Sequence, residues 1–510
     1  MRGLVAVGLF SLAVVFSACH EEADNYSNKD LTLDAFSAMK TPSISIDPQV
    51  IRKHLTHIVN KDTGRFSVDR RIREYYRQGM PLLWADRLGV DHRADSLLVY
   101  IEKVGETGIM PQMYRVEEIR DDLNRLRSLE LTEKEDINRV MARLEYNLTR
   151  AYLRYASFQR FGYVNPNYTL NRCVVKDSDS MRVTYHHVYD VKNGRPDDAY
   201  FQTAYAKLHH DSVATFLREI QPDGKLYRKL MDKLRDNQLS YSERLKVICN
   251  IEKCRWQHSD IPDREKKYVV VNIPSFTLYG YDGDSLMTMK IGCGKLTTRT
   301  PLIHSYLKRM EINPQWIVPK SIAKTITGSI GYLHRNNMFV VERGVGKLPA
   351  ERASYEKVMS GKQYIVQAGG EGNSLGRIIF RFDNNFSVYL HHTNTPWVFE
   401  RSVRTVSHGC VRVEKPYDLA VFLLDEKDEK LMERIKYSMT ANLNPKTKEG
   451  EEAEKIDRSK LVSVVKVEPE IPVFIDYFTC YPASDGQFRF YNDVYGYDAA
   501  ILKAMKNYIQ

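Results

Sequence analysis

Ser407-His408-Gly409-Cys410-Val411-Arg412 is the stretch on which the reading of this chain turns. A thiol stands two residues after a histidine. The glycine between them lacks a Cβ and lets the backbone turn tightly. Upstream, Tyr389-Leu390-His391-His392-Thr393 supplies a second imidazole. A cysteine attacks as its thiolate, so it needs a neighbouring base or a lowered pKa. His391, at a strand end, is expected to approach the sulfur from outside as general base. His408 is so near Cys410 in sequence that its side chain diverges in an extended turn, and it is expected to orient or to sit on the oxyanion side. The amides of Gly409 and Cys410 are natural oxyanion donors. Thr393 is placed to accept from the other nitrogen of His391 and fix its tautomer. Arg412 anchors the loop or a substrate carboxylate, and Ser407 and Trp397 are counted with Thr393 among the substrate contacts. Adjacent histidines rarely reach one metal together, so a zinc site built from His391, His392, His408 and Cys410 is not expected, nor is any other cofactor.

Outward from this run the pattern is β-rich. Arg377 to Phe382 and Phe386 to Leu390 read as strands around Asp383-Asn384-Asn385, and Pro416 to Leu424 reads as a helix. Tyr268 to Ile273 is rich in β-branched residues, and Tyr281-Asp282-Gly283-Asp284 supplies a hairpin turn before Leu286 to Ile291. These strands define a domain over 263–435. A charged, apolar-poor linker follows over 436–461, then a closing β element over 462–510. Before Pro262 the period is helical. Thr132-Glu133-Lys134-Glu135 has the form of a capping box, and Ile137, Val140, Met141, Leu144, Leu148, Tyr152, Tyr155 and Phe158 follow at steps of three and four. Residues 46–262 are thus a helical scaffold, and the whole is an α+β multidomain chain.

The 510 residues are ample for two or more cores. A net charge of +10, from 75 Lys and Arg against 65 Asp and Glu, is spread without a basic block, so no nucleic-acid partner is expected. Arg2, an apolar run from Leu4 to Phe16 and then Ser17-Ala18 read as a secretory signal over 1–18, too short to span a bilayer. The cysteine directly after it makes the segment resemble a bacterial lipoprotein signal. That likeness implies a lipidated Cys19, a polar tether over 19–45, and a periplasmic protein anchored to the outer or inner membrane through its N-terminal lipid. Cys173, Cys249, Cys254, Cys293 and Cys480 form no CxxC pair and are expected as free thiols.

The residues from Tyr389 to Arg412 resemble the signature of the L,D-transpeptidase (YkuD) family: a histidine, a short spacer, then Ser/Thr-His-Gly-Cys, an apolar residue and Asn or Arg. Val271-Asn272-Ile273-Pro274, Asn313-Pro314-Gln315-Trp316 and Phe474 to Asp498 are similar to its YcbB-like branch, as are Leu83-Trp84 and Asn250 to Trp256 in the scaffold. The resemblance implies a β-sandwich-like catalytic domain with a capping insertion at about 322–376. It implies that Cys410 attacks the third residue of a peptidoglycan tetrapeptide stem, releases D-Ala, and passes the acyl group to a second stem as a 3→3 cross-link. Acylation of Cys410 by carbapenem-type β-lactams is implied as well. Two departures stand out. No room is left for a peptidoglycan-binding domain between scaffold and catalytic parts, and His392-Thr393-Asn394-Thr395-Pro396 stands where the branch has Asp-Thr-Pro. The same chemistry with another acceptor makes an L,D-carboxypeptidase or a wall-protein amidase. A non-catalytic peptidoglycan-binding lipoprotein is the rival from another class. A papain-like protease would carry its cysteine before its histidine, the reverse of this order.

Overall fold

The computed structural model describes residues 45–86, 89–173, 175–176, 183–184, 187–209, 212–256, 262–425, 428–441, 443 and 456–509. The expected signal, Cys19 and nearly all of the tether lie outside the described residues, as does much of the expected linker. Packing divides the chain into two units. One holds the described residues from 45 to 164, 193 to 256 and 504 to 509; the other holds those from 165 to 192 and 262 to 503.

The first unit is helical: α1 (Pro48–Lys61), α2 (Ser67–Arg77), α3 (His92–Glu102), α4 (Val116–Ser128), α5 (Ile137–Phe161), α6 (Asp198–His209), α7 (Val213–Glu219), α8 (Lys225–Leu234) and α9 (Tyr241–Arg255). The expected apolar stripe lies on α5. This helix is buried on nearly all sides, because α1, α2, α3, α4, α6 and α9 all pack on it. Asp136 caps α5 by accepting from the Asn138 and Arg139 amides. Thr132, expected as the cap, instead closes a separate turn with the Glu135 amide at 3.1 Å. Two buried acidic side chains inside the unit are closely matched. The Glu145 carboxylate accepts the Leu83, Trp84 and Ala85 amides at 2.6, 3.0 and 3.1 Å and the Tyr76 hydroxyl at 2.7 Å. Asp69 and Arg154 form a buried two-bond pair at 2.7 and 2.8 Å.

The second unit is built on β1 (Lys267–Asn272), β2 (Thr277–Asp282), β3 (Ser285–Gly294), β4 (Ile303–Ile312), β5 (Trp316–Ile317), β6 (Met338–Glu342), β7 (Gly346–Leu348), β8 (Gln363–Gln367), β9 (Ile378–Phe382), β10 (Leu390–His391), β11 (Thr405–Ser407), β12 (Val411–Val413) and β13 (Val464–Asp476). Eight strands follow one another in the order β3-β12-β10-β9-β4-β13-β1-β2, and the β2–β3 hairpin closes the ring. The sandwich-like domain implied by the resemblance therefore takes the form of a mixed barrel. Closure removes the exposed sheet edges. β10 and β12 are parallel, as are β13 and β1; the other neighbours in the ring are antiparallel. β11 adds to β3 in parallel.

Two expected boundaries shift. The stretch over 462–510 does not close the chain as a separate element, since β13 lies inside the barrel between β4 and β1. Val473, Phe474 and Ile475 are all buried there, as a strand with both neighbours requires. Residues 165–192, read as scaffold, pack with the barrel instead, for example through the bridge between Tyr189 and Leu302. The insertion is a small layer of its own. The sheet β7-β6-β8-β5 and the helices α10 (Lys320–Ile326), α11 (Ile330–Arg335) and α12 (Tyr355–Ser360) enclose a core of Val318, Ala323, Leu333, Met338, Ala350, Val358 and Ile365.

Candidate active site

The site is set by the register of two short parallel strands. Leu390 pairs with Val411 and His391 with Arg412, and the Val411 amide donates to the Tyr389 carbonyl at 3.1 Å. Tyr389 therefore lies opposite Cys410. Side chains alternate along a strand, so Leu390 and Val411 turn into the fully buried core while Tyr389, His391, Cys410 and Arg412 share the other face. The expected nucleophile and base are brought together by this pairing.

The turn carrying Cys410 is braced from within. Ser407 donates its hydroxyl to the Cys410 carbonyl at 2.6 Å and accepts the Gly409 amide at 3.1 Å. Gly409 has φ +123°, a conformation open to glycine and strained for other residues. Beneath it, Thr300 donates to the Gly409 carbonyl at 2.8 Å and accepts the Gly294 amide at 2.9 Å. Tyr495 donates to the Gly294 carbonyl at 2.6 Å and accepts the Thr300 amide at 3.2 Å. The Ser407 carbonyl accepts from the Lys295 amide and the Thr298 hydroxyl at 3.0 and 3.1 Å.

Electrostatically the resting pair is neutral. Burial, reinforced by the Arg412 charge, pushes His391 down to about 3, against weaker support from backbone groups of His392 and Leu375. Burial raises the Cys410 thiol, opposed by the Tyr389 amide, Arg381, the Tyr389 phenol and Arg412. Burial, Lys295 and Arg412 lower His408. With both groups neutral, the two side chains do not form a standing thiolate–imidazolium pair.

Several expected roles change in this geometry. The Gly409 amide is engaged by Ser407, so Gly409 serves the turn and the Cys410 amide is left as the expected oxyanion donor. Ser407 is buried and builds the turn, so it is not placed as a substrate contact. Thr393 does not fix the His391 tautomer: its hydroxyl pairs with that of Thr395 at 2.9 Å, and the buried Nδ1 of His391 has no hydrogen-bond partner. Thr395 in turn accepts from Arg412 at 3.0 Å, which ties Arg412 to the loop. His392 accepts the Arg377 amide at 3.2 Å, a structural bond. His408 is exposed two residues before Cys410, and Trp397 is half-exposed with Arg401 over its ring at 4.7 Å. Sequence reading did not single out Thr300, Tyr495 or Tyr389 for the site. Tyr389 was legible by its even spacing from His391; Thr300 and Tyr495 reach the turn only through long-range pairing.

Residues 266–433 match the YkuD family model, the L,D-transpeptidase catalytic domain, and residues 70–234 match that of the Scaffold domain. A Haemophilus influenzae protein named "Putative L,D-transpeptidase" is 25% identical over 327 residues, 62% of this chain. The match spans 61% of that protein's length, and the relationship is a distant one.

Proposed function

We propose that this chain, which carries the L,D-transpeptidase (YkuD) catalytic domain behind an N-terminal Scaffold domain, forms 3→3 cross-links in peptidoglycan. The observation that carries the reading is the parallel β10–β12 pair, which presents His391 and Cys410 on one face of an L,D-transpeptidase domain. The Cys410 thiol gives its proton to His391 as the sulfur attacks the carbonyl of the third stem residue. The Cys410 amide receives the oxyanion. D-Ala leaves with the proton from His391, and a thioester remains. It conserves the acyl energy, so the amine of a second stem can displace the sulfur without ATP; its proton passes through His391 back to the thiol. His408 orients the nucleophile or lies on the oxyanion side, and Trp397 contacts the substrate. Arg412, held by Thr395, sets the charge beside His391. The insertion limits water at the thioester and favours the amine over hydrolysis.

Arg2, the apolar run to Phe16 and Cys19 support export and lipid anchoring of the same chain in the periplasm. Without a peptidoglycan-binding domain between the two parts, that anchor keeps the enzyme near the wall.

Incubation of the soluble chain and its Cys410→Ala variant with disaccharide-tetrapeptide, followed by mass spectrometry, tests the reading. A cross-linked dimer that needs Cys410 supports transpeptidation. Tripeptide and free D-Ala alone identify a carboxypeptidase, and untouched substrate with the wild type counts against both. A covalent carbapenem adduct confined to Cys410 is expected in the same assay.

A further inference from the structure

The loop over 383–389, which joins β9 to β10, is built around one side chain. Asn384 donates to the Phe382 and Val388 carbonyls at 3.1 and 2.7 Å and accepts the Phe386 and Val388 amides, both at 3.0 Å. One carboxamide thus serves four backbone groups, using both its donor and its acceptor side. The loop is also seated from outside. Ser305 donates to the Asp383 carbonyl at 2.7 Å, Asn385 to the Asp190 carboxylate at 2.9 Å, and the Phe386 ring lies 5.5 Å from that of His187. Within the loop, Ser387 is exposed and has φ +55°, in the left-handed region that residues other than glycine seldom enter. In that conformation the Ser387 carbonyl faces the Cys410 turn and accepts from the Cys410 thiol at 3.9 Å. The next residue packs on the same turn, Val388 Cγ2 lying 3.7 Å from the Cβ position of Gly409.

We propose that the Ser387 carbonyl holds the Cys410 thiol in its protonated form until a substrate arrives, and that Asn384 is the positioning residue that aims this carbonyl. The inference rests on the reading of Cys410 as nucleophile and adds to that site a group for its resting state. A carbonyl oxygen can only accept, so it stabilises the S–H and repels the lone pairs of a thiolate. The sulfur of the free chain is thereby kept from small electrophiles. For attack, the S–H turns from Ser387 to His391 on the same strand face. Its proton then moves to the imidazole nitrogen as the S–C bond forms, and no other reagent is needed. The strained φ at Ser387 fits this role. Strain of that kind persists only where the surroundings over-determine it, and the four Asn384 bonds do so. The charged and titratable groups acting on the sulfur are Arg381, the Tyr389 phenol and Arg412, with His391 sharing its face.

Two readouts on the full chain test this. One is alkylation by iodoacetamide across pH, followed at the Cys410 peptide by mass spectrometry. The other is the S–H stretching band of Cys410, taken as the infrared difference between wild type and Cys410→Ala. Ser387→Val puts a β-branched residue where positive φ is strongly disfavoured, so the carbonyl swings away. The alkylation midpoint is then expected to move down by about half a pH unit, and the S–H band to higher wavenumber. Ser387→Gly, the conservative variant, keeps the backbone conformation and should keep both readings; a role for the serine side chain would not. Asn384→Ala is expected to follow Ser387→Val. An unchanged midpoint or band in folded Ser387→Val overturns the proposal, as does an equal shift in Ser387→Gly. If Ser387→Val melts below the assay temperature, the same readings on Asn384→Ala decide. Because alkylation needs no stem peptide, the outcome is independent of whether the enzyme makes cross-links. Failure of the cross-linking reading shows separately, in the Cys410-dependent products.

Discussion

The Ser407 hydroxyl donates to the carbonyl of Cys410 at 2.6 Å, so the peptide group of the proposed nucleophile is bonded to the residue that starts its turn. The same oxygen accepts the Gly409 amide. In Ser407→Ala a buried amide and a buried carbonyl both lose their partner, at a cost of about 1–3 kcal/mol. The expected outcome is a lower melting temperature together with an acylation rate reduced on the order of 10–100-fold, since a misplaced nucleophile loses its near-attack geometry. Ser407→Thr, which keeps the hydroxyl, should retain most of both; equal loss in the two variants would argue that bulk and not the bond matters.

Gly409→Ala isolates backbone strain. A Cβ there meets Val388 Cγ2 at 3.7 Å and the Arg299 carbonyl at 3.9 Å, ordinary contacts that call for no movement. The cost therefore comes from φ +123°, about 1–3 kcal/mol. Calorimetry should show a destabilisation of that size, and single-turnover acylation should fall with it because the turn relaxes toward negative φ. Wild-type stability in this variant would show that the turn tolerates a side chain.

His391 links stability to pH. Its folded value of about 3 lies below the ordinary 6.5, so the unfolded chain binds this proton first as pH falls. Stability from this group is complete above pH 6.5 and is lost as pH drops toward 3, up to roughly 4–5 kcal/mol in all. Urea unfolding between pH 4 and 8 should therefore show a slope that His391→Asn flattens. Parallel slopes in wild type and variant would remove His391 as its source.

Tyr495 supports the Cys410 turn from beneath. Its phenol joins the Gly294 carbonyl to the Thr300 amide, and Thr300 carries the Gly409 carbonyl. Tyr495→Phe leaves those two buried groups without the bridge, at about 1–3 kcal/mol. A fall in acylation rate with little change in substrate KM is the expected signature, because the loop that loosens holds the nucleophile. An unchanged rate would confine Tyr495 to packing.

Glu145 offers a stability test away from the site. Its carboxylate faces three backbone amides and one phenol. An amide in its place presents an NH2 group to donors on one side, so Glu145→Gln should cost about 2–4 kcal/mol. Thermal unfolding measures this, and protease cleavage near Leu83–Ala85 should rise with it. A neutral result would mean that the segment re-pairs its amides elsewhere.

Much of the site was legible because its parts are close in the chain. His408, Gly409 and Cys410 are neighbours, and the strand character of Tyr389 to His391 follows from alternation over a few residues. Helical character was similarly readable in α5, where apolar residues repeat at three and four. The helix starts four residues later than Thr132 implies, because two capping side chains, Thr132 and Asp136, stand close in sequence and the first closes a separate turn.

By itself, then, the sequence offered a candidate nucleophile, its candidate base, the glycine turn before the cysteine and the division into helical and β-rich regions. These are consequences of covalent order and of side-chain periodicity, which act locally. The tertiary structure alone decided that Tyr389 opposes Cys410, that the Gly409 amide is consumed by Ser407, that Thr300 and Tyr495 support the turn, and that β13 runs inside the barrel. Apart from the Ser407–Gly409 bond, which is local to its turn, each depends on the pairing of segments far apart in the chain, which is set by which hydrogen-bonding edges meet and is written in no single stretch of residues.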